Sequence, residues 1–261
     1  MKEIRLCDTY ELDFTVDLCK KYGLGIEVQS FYDPYLENRQ AVIEKHKTKL
    51  SDIRGGKSLH APFWDLNIGS KIKFLREGTL DIFNDAYQIA KELGCTEIVV
   101  HNGYIPGTYY EGAWIKRAEQ FWNQFFCDKD DSITMCIENQ FELYSDMMKA
   151  EIDAVGDSRL KVCLDIGHVH ANANMKIEDW IKTLGERIGY VHLHNNHGKQ
   201  SIIGHNNDEH LGLQDGTMDM KRVLELLEEY APNAIWNIES NTKSLEESVR
   251  YLGELGYLSI V

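Results

Sequence analysis

Short apolar, β-branched runs alternate with longer amphipathic stretches along this chain, and that alternation restricts the fold more than any other feature. The runs are Ile4–Leu6, Gly25–Val28, Ser58–His60, Glu97–His101, Ile133–Glu138, Lys161–Asp165, Tyr190–His194 and Ile235–Glu239. Their length and composition predict buried strands. Between them, Ile72–Leu93, Glu111–Phe126, Met218–Tyr230 and Ser244–Leu255 repeat apolar residues at helical spacing; in the first, Leu75, Leu80, Phe83, Tyr87 and Ala90 recur at steps of that kind. Eight units in 261 residues give about 33 residues each, enough for a strand, a loop, a helix and a return. No linker or low-complexity tract divides the chain. The expected architecture is one α/β domain over 1–261, a single (β/α)8 TIM barrel. An open doubly wound sheet is the alternative, but its Gly-x-Gly-x-x-Gly turn is missing: Tyr22-Gly23-Leu24-Gly25 precedes a strand and opens no helix.

Composition narrows the partners. With 28 Lys+Arg against 42 Asp+Glu the formal charge is −14, which disfavours a broadly basic nucleic-acid surface. The six cysteines form no Cys-x-x-Cys pair and read as reduced, mostly buried thiols. No signal-like stretch opens the sequence and no apolar run approaches a membrane span, so a cytoplasmic protein is expected.

In a barrel the active site forms at the carboxyl ends of the strands. Here most strands end in a metal-type ligand: His60, His101, Glu138, Asp165 (with His168 three residues on), His192 and His194, and Glu239. The stretch Asp208-Glu209-His210 follows strand seven. A lone polar residue at a strand end is usually a cap, but this set converges on one small mouth. Unpaired, its carboxylates would cost several kcal/mol each to bury. Divalent cations remove that cost, and mixed His/Asp/Glu ligation suits Zn²⁺ or Mn²⁺, one to three ions. His192 and His194 are two apart, so both should face the interior, one as ligand and one as neighbour. His194, nearer the carboxyl end, is favoured. His170, His197 and His205 read as loop histidines.

These motifs resemble the xylose isomerase-like barrels, a family of sugar (phosphate) isomerases and epimerases and type IV apurinic endonucleases. They are His60-Ala61-Pro62, Val100-His101, Ile137-Glu138-Asn139, Cys163-Leu164-Asp165-Ile166-Gly167-His168, His192-Leu193-His194, Asp208-Glu209-His210-Leu211 and Ile238-Glu239. In the epimerase branch the resemblance implies one metal on Glu138, Asp165, His194 (or His192) and Glu239, with Glu138 and Glu239 as the acid/base pair. In the endonuclease branch it implies three zinc ions, adding His60, His101, His168, Asp208 and His210. Epimerases often carry an Arg just past strand seven, where this chain offers only Lys199. The endonucleases' Arg-rich loops correspond here to Phe31-Tyr32-Asp33-Pro34-Tyr35 and Phe63-Trp64-Asp65, which hold aromatics and acids.

The expected activity is a metal-dependent sugar isomerase or epimerase of carbohydrate metabolism, acting on a small polyhydroxylated substrate. Proton abstraction would occur beside a metal-chelated carbonyl, with His168 and Lys199 on substrate oxygens and Phe63, Trp64 and Tyr104 forming an apolar wall. The alternatives are a zinc-dependent apurinic endonuclease or a related dehydratase. Two smaller expectations concern packing. Thr217, after Gly216, should cap a helix, and Trp114, Phe121, Trp122, Phe125 and Phe126 hint at an extra buried face in a homodimer.

Overall fold

The computed structural model describes residues 2–8, 11–199 and 207–259. Its strands are β1 (Ile4–Cys7), β2 (Gly25–Val28), β3 (Lys57–His60), β4 (Glu97–His101), β5 (Thr134–Glu138), β6 (Leu160–Asp165), β7 (Ile188–Leu193) and β8 (Ile235–Ile238). All pair in parallel and in sequence order. Leu6 opposite both Ile26 and Ile238 closes the barrel. The predicted runs thus fall on the observed strands, with ends displaced by no more than two residues.

The helices are α1 (Leu12–Tyr22), α2 (Arg39–Leu50), α3 (Lys73–Leu93), α4 (Glu111–Phe126), α5 (Asp146–Val155), α6 (Ile166–Asn172), α7 (Ile177–Leu184), α8 (Met220–Tyr230) and α9 (Thr242–Glu254). Each long helix turns one apolar stripe onto the strands, which are buried on both faces and therefore carry continuous apolar runs. The aromatic face of α4 belongs to this packing. Phe121 and Trp122 meet Phe83 of α3 at 5.7 and 6.0 Å, and the five α4 aromatics are buried within the chain. Their burial is thus accounted for by packing within the chain. Thr217 does not cap α8: Asp219 does, accepting from Arg222 N at 3.1 Å, while Thr217 is tied to Asn196 and His170.

The amino end of the barrel is sealed by charge paired inside the chain. Buried Arg5 donates to Glu3 at 2.6 Å, lies against Glu97, and sits 5.7 Å from the Tyr190 ring. Burial disfavours the guanidinium charge, but Tyr190, Glu97 and Glu3 outweigh it and hold the group firmly protonated. A cavity of about 340 Å³ opens there beside Glu97, Lys161 and Glu186. Among the described residues no helix is long and apolar enough to cross a membrane, and no cysteine is disulfide-bonded, Cys127 alone being exposed.

Candidate metal centre

The carboxyl end is built differently. Strands β3, β4, β5, β6 and β7 bring His60, His101, Glu138, Asp165 and His192 to the mouth, and Glu239 follows β8 directly; all six are buried. Asp165 also caps α6, accepting from His168 N at 2.6 Å, which fixes where His168 enters the site. The chain between β7 and α8 returns Asp208 and His210, both half-buried.

Glu138 is the hub. Its Oε2 lies 3.2 Å from His60 Nε2, 3.3 Å from His101 Nε2 and 3.4 Å from His192 Nδ1, and its Oε1 lies 3.2 Å from His168 Nδ1. Candidate ligand atoms gather within 4.8 Å of one another in several groups. Three of them are His60–His101–Glu138, Glu138–Asp165–His192–Glu239 and His168–Asp208–His210.

Main-chain carbonyls select the histidine tautomers. The Nδ1–H groups of His60, His168 and His210 donate to the carbonyls of Ala61, Asn139 and Glu239, each at 2.8 Å. A carbonyl can only accept, so each ring keeps its Nδ1 proton and turns Nε2 to the carboxylates, the nitrogen open to a metal once its own proton leaves. His192 is mounted the other way: Nε2 faces Glu27 Oε2 at 3.1 Å and Nδ1 faces the carboxylates. His210 takes φ 46°, a left-handed conformation of the strained kind that gathers at functional sites.

Charge balance here comes from protons. Burial pushes the carboxylates up, but neighbouring imidazoles outweigh it and hold Glu138, Asp165 and Asp208 well below the usual range and Glu239 at about 2. Burial likewise opposes imidazolium, yet the acids raise His168 and His192 and bring His210 to about 10. The donor set fits a divalent metal. His192 Nδ1 and Glu239 Oε2 lie 2.9 Å apart, but neither buried atom has a well-aligned hydrogen bond. His101 Nδ1 is a further buried atom without one. A cation among these donors satisfies lone pairs that the protein leaves unmatched.

Over residues 8–255 the sequence matches the model of the xylose isomerase-like TIM barrel family. The chain belongs to that family. It is 29% identical over 195 residues to an uncharacterized protein of Methanocaldococcus jannaschii, covering 73% of this chain and 72% of that one. It is 23% identical over 169 residues to a probable endonuclease 4 of Mycobacterium leprae, covering 62% and 64%. Among solved structures it resembles a Thermus thermophilus protein soaked with ZnCl2 (TM-score 0.78, 22% identity, 98% of both chains). A D-tagatose 3-epimerase-like protein is also similar (TM-score 0.75, 22% identity, 97% of this chain and 96% of that one). At those identities the likeness is one of fold.

In this member of the xylose isomerase-like family, the two strand-seven histidines take different places. Both are fully buried, as their spacing predicts, although β7 itself ends at Leu193. His192 joins Glu138, Asp165 and Glu239 in one group, and the favoured His194 joins His210 and Glu239 in another. His194 Nε2 lies 3.1 Å from Asp165 Oδ1 and its ring stacks on His210 at 4.1 Å. That ring also explains Gly167, where a Cβ would sit 1.9 Å from it.

Three expected substrate contacts are not at the mouth. Lys199 donates to Asn174 at 2.7 Å on the exposed surface. Trp64 is exposed and stands outside the cavity lining, and Tyr104 is buried against Trp114. Phe63 does reach the mouth, its ring 5.1 Å from that of His101. His170 and His197 are outside the lining, and His205 lies outside the described residues. Residues without a motif turn out to matter: Glu27 orients His192, Gln29 donates to Glu239 Oε1 at 2.5 Å, and Tyr32, Gln140 and Asn241 line the cavity. Only the inward alternation of Glu27 on β2 could have signalled any of them.

Proposed function

We propose that the chain is a metal-dependent isomerase or epimerase of a small, uncharged polyhydroxylated carbonyl compound. The observation that carries this reading is the cup above Glu138, Asp165, His192 and Glu239. It holds about 350 Å³ and is walled by the amides of Gln29, Gln140 and Asn241, the Tyr32 phenol and the Phe63 ring, with no Lys or Arg among its lining residues. A neutral polar wall, in which Gln29 is bonded to Glu239 and Asn241 to His210 and Ser244, suits hydroxyl groups, whereas a phosphate calls for Arg or Lys. The volume fits a small ligand.

Glu138, Asp165, His192 and Glu239 would hold the metal, Zn²⁺ or Mn²⁺ by its donor set. A bound divalent ion supplies polarisation of the carbonyl and its neighbouring hydroxyl, which acidifies the adjacent C–H. Glu138 and Glu239 approach the cup from β5 and β8, three strands apart around the barrel. One takes the proton from carbon and the other returns it, on the opposite face or at the adjoining carbon. Gln29 fixes the Glu239 carboxylate through its Oε1. Phe63 offers a flat apolar surface to the C–H side of the ligand. The epimerase-like structure of the same fold supports the reaction class.

A second reading, phosphodiester cleavage at abasic sites in DNA, is favoured by the two further groups, His60–His101–Glu138 and His168–Asp208–His210. Three divalent ions against Glu138, Asp165, Asp208 and Glu239 would leave the centre about two charges positive, drawing an anion without Lys or Arg. Nuclear magnetic resonance of substrate C–H exchange with deuterated solvent tests the first reading across a panel of ketoses and inosose-like polyols. Exchange that Glu239→Gln abolishes is the expected result. Metal-dependent nicking of an abasic oligonucleotide, with no exchange on any panel member, would replace it with the second.

A further inference from the structure

A buried acid with no part in the proposed mechanism stands at the end of the first strand. Asp8 follows β1 directly and is fully buried, and among the described residues no Lys or Arg pairs with it. The loop after β2 fills its carboxylate instead. Oδ1 accepts from Gln29 N and Oδ2 from Ser30 Oγ, each at 2.9 Å, and His46 Nε2 of α2 lies 3.8 Å away. Burying a carboxylate costs several kcal/mol, and a neutral Asn or Ser could hold a loop without that penalty. The charge calls for a reason beyond capping a turn.

Gln29, which Asp8 holds by its main chain, reaches the metal centre with its side chain. Its Nε2 donates to Glu239 Oε1 at 2.5 Å and to Glu27 Oε1 at 3.2 Å. Two carboxylates face the same end of the amide, so both of its hydrogens are used. The other oxygen of Glu27 meets His192 Nε2 at 3.1 Å. Gln29 and Glu27 thus form the back of a clamp whose jaws are Glu239 and His192. Between the jaws, Oε2 and Nδ1 lie 2.9 Å apart, and neither has an aligned hydrogen bond. Three contacts of this ring of four side chains are hydrogen bonds, and the fourth is the one a metal takes.

The back of the clamp is anchored through Asp8. Gln29 comes just after Val28, the last residue of β2, and its N–H goes to Asp8 rather than to a neighbouring strand. Asp8 is tied back in turn, its own N–H donating to Glu27 O at 3.0 Å. On the far side His46 is fixed by its Nδ1–H, which donates to Val42 O at 2.8 Å. We propose that Asp8 is a positioning residue of the metal centre: acting through Gln29, it sets the spacing of Glu239 and His192 about the ion. The proposal rests on those two being ligands, and holds whether the substrate is a polyol or a phosphodiester.

Co²⁺ loaded into the full chain tests this without any substrate, with affinity read by chelator competition and ligand geometry by the visible spectrum. Asp8→Asn keeps the shape and an acceptor for Gln29 N but removes the charge. It should weaken Co²⁺ about tenfold and change the cobalt spectrum, and Gln29→Ala should weaken it about 10–100-fold. In the double variant the losses should not add, because one residue acts through the other. Ser30→Ala takes a single donor from the same carboxylate and should weaken Co²⁺ about two- to tenfold, again with no effect once Gln29 is Ala. It serves if the Asp8→Asn chain does not fold. Losses that add overturn the proposal. So does an Asp8→Asn chain that melts earlier with wild-type cobalt affinity and spectrum, which would make Asp8 a loop cap. A wild-type chain that binds no Co²⁺, or binds it as tightly after Glu239→Gln, overturns it as well. Failure of deuterium exchange across the sugar panel would sink the isomerase reading and leave the cobalt coupling in place, so the two fail separately.

Discussion

The two ends of the barrel bury charge by opposite rules. At the amino end Arg5 meets Glu3 and Glu97, opposite signs carried by the same chain, so the buried cation finds its partners without any added ion. At the carboxyl end Glu138, Asp165, Asp208 and Glu239 crowd together, and imidazolium protons supply the opposing charge. A permanent partner makes a structural lock. An exchangeable one makes a site, because whatever replaces the protons brings chemistry with it.

Substitutions at either end should separate along that line. The largest effect is expected for Glu239→Gln, which should lower turnover on a responsive substrate by about 10²–10⁴, measured by steady-state kinetics. Its effect on unfolding should be the smaller one, confined to the pairing of Glu239 with His192 and His210. Arg5→Ala should do the reverse. It leaves Glu97 facing a gap, so stability should drop by about 3–5 kcal/mol in urea unfolding while metal content at low temperature stays at the wild-type level. Loss of metal from the Arg5→Ala chain would mean that the two ends are not independent.

Smaller effects sharpen the comparison. Glu27→Gln replaces the carboxylate that orients His192 with a neutral amide and should weaken metal binding about 10–100-fold in a chelator competition. The metal-free chain should show a pH signature from the mouth. Glu239 falls from 4.5 to about 2, so its contribution is present above about 4.5 and lost as pH falls through about 2. His210 rises from 6.5 to about 10, so its contribution is full below about 6.5 and lost as pH rises through about 10. Metal-free stability should therefore peak between about pH 4.5 and 6.5 in melting scans, and metal uptake at pH 7 should release protons, seen as buffer-dependent heats. The smallest effect belongs to Lys199→Ala, which should leave both kinetics and metal content within about twofold, as expected of a surface change.

The sequence made the ligands legible because a parallel barrel puts strand ends on one face. Glu138, Asp165 and Glu239 each close an apolar run, and the fold brings them together whatever their separation along the chain. Legibility stopped where regular structure stopped. Alternation turns both His192 and His194 inward, and both are buried among ligand-type groups, so spacing alone does not choose between them. Gln29, Gln140 and Asn241 are neutral amides in loops, and nothing in their spacing distinguishes a cavity wall from an ordinary turn. The α4 aromatics misled for a related reason: a surplus of apolar residues on a helix does not say whether α3 or another subunit covers it, and Phe83 does. The apolar surface left over lies on the loops, where helical periodicity has no reach.

The carbonyls of Ala61, Asn139 and Glu239 set three histidine tautomers, and a carbonyl is the same whatever side chain the residue carries. The hardest part of the centre to rebuild is thus written into the path of the main chain. Gln29, Tyr32, Gln140 and Asn241, which line the cup, can drift to other residues while those three imidazoles keep their poise. Such a scaffold is open to evolution and to a designer alike: new substrates can be explored by changing the wall of the cup while the histidines beneath it stay as they are.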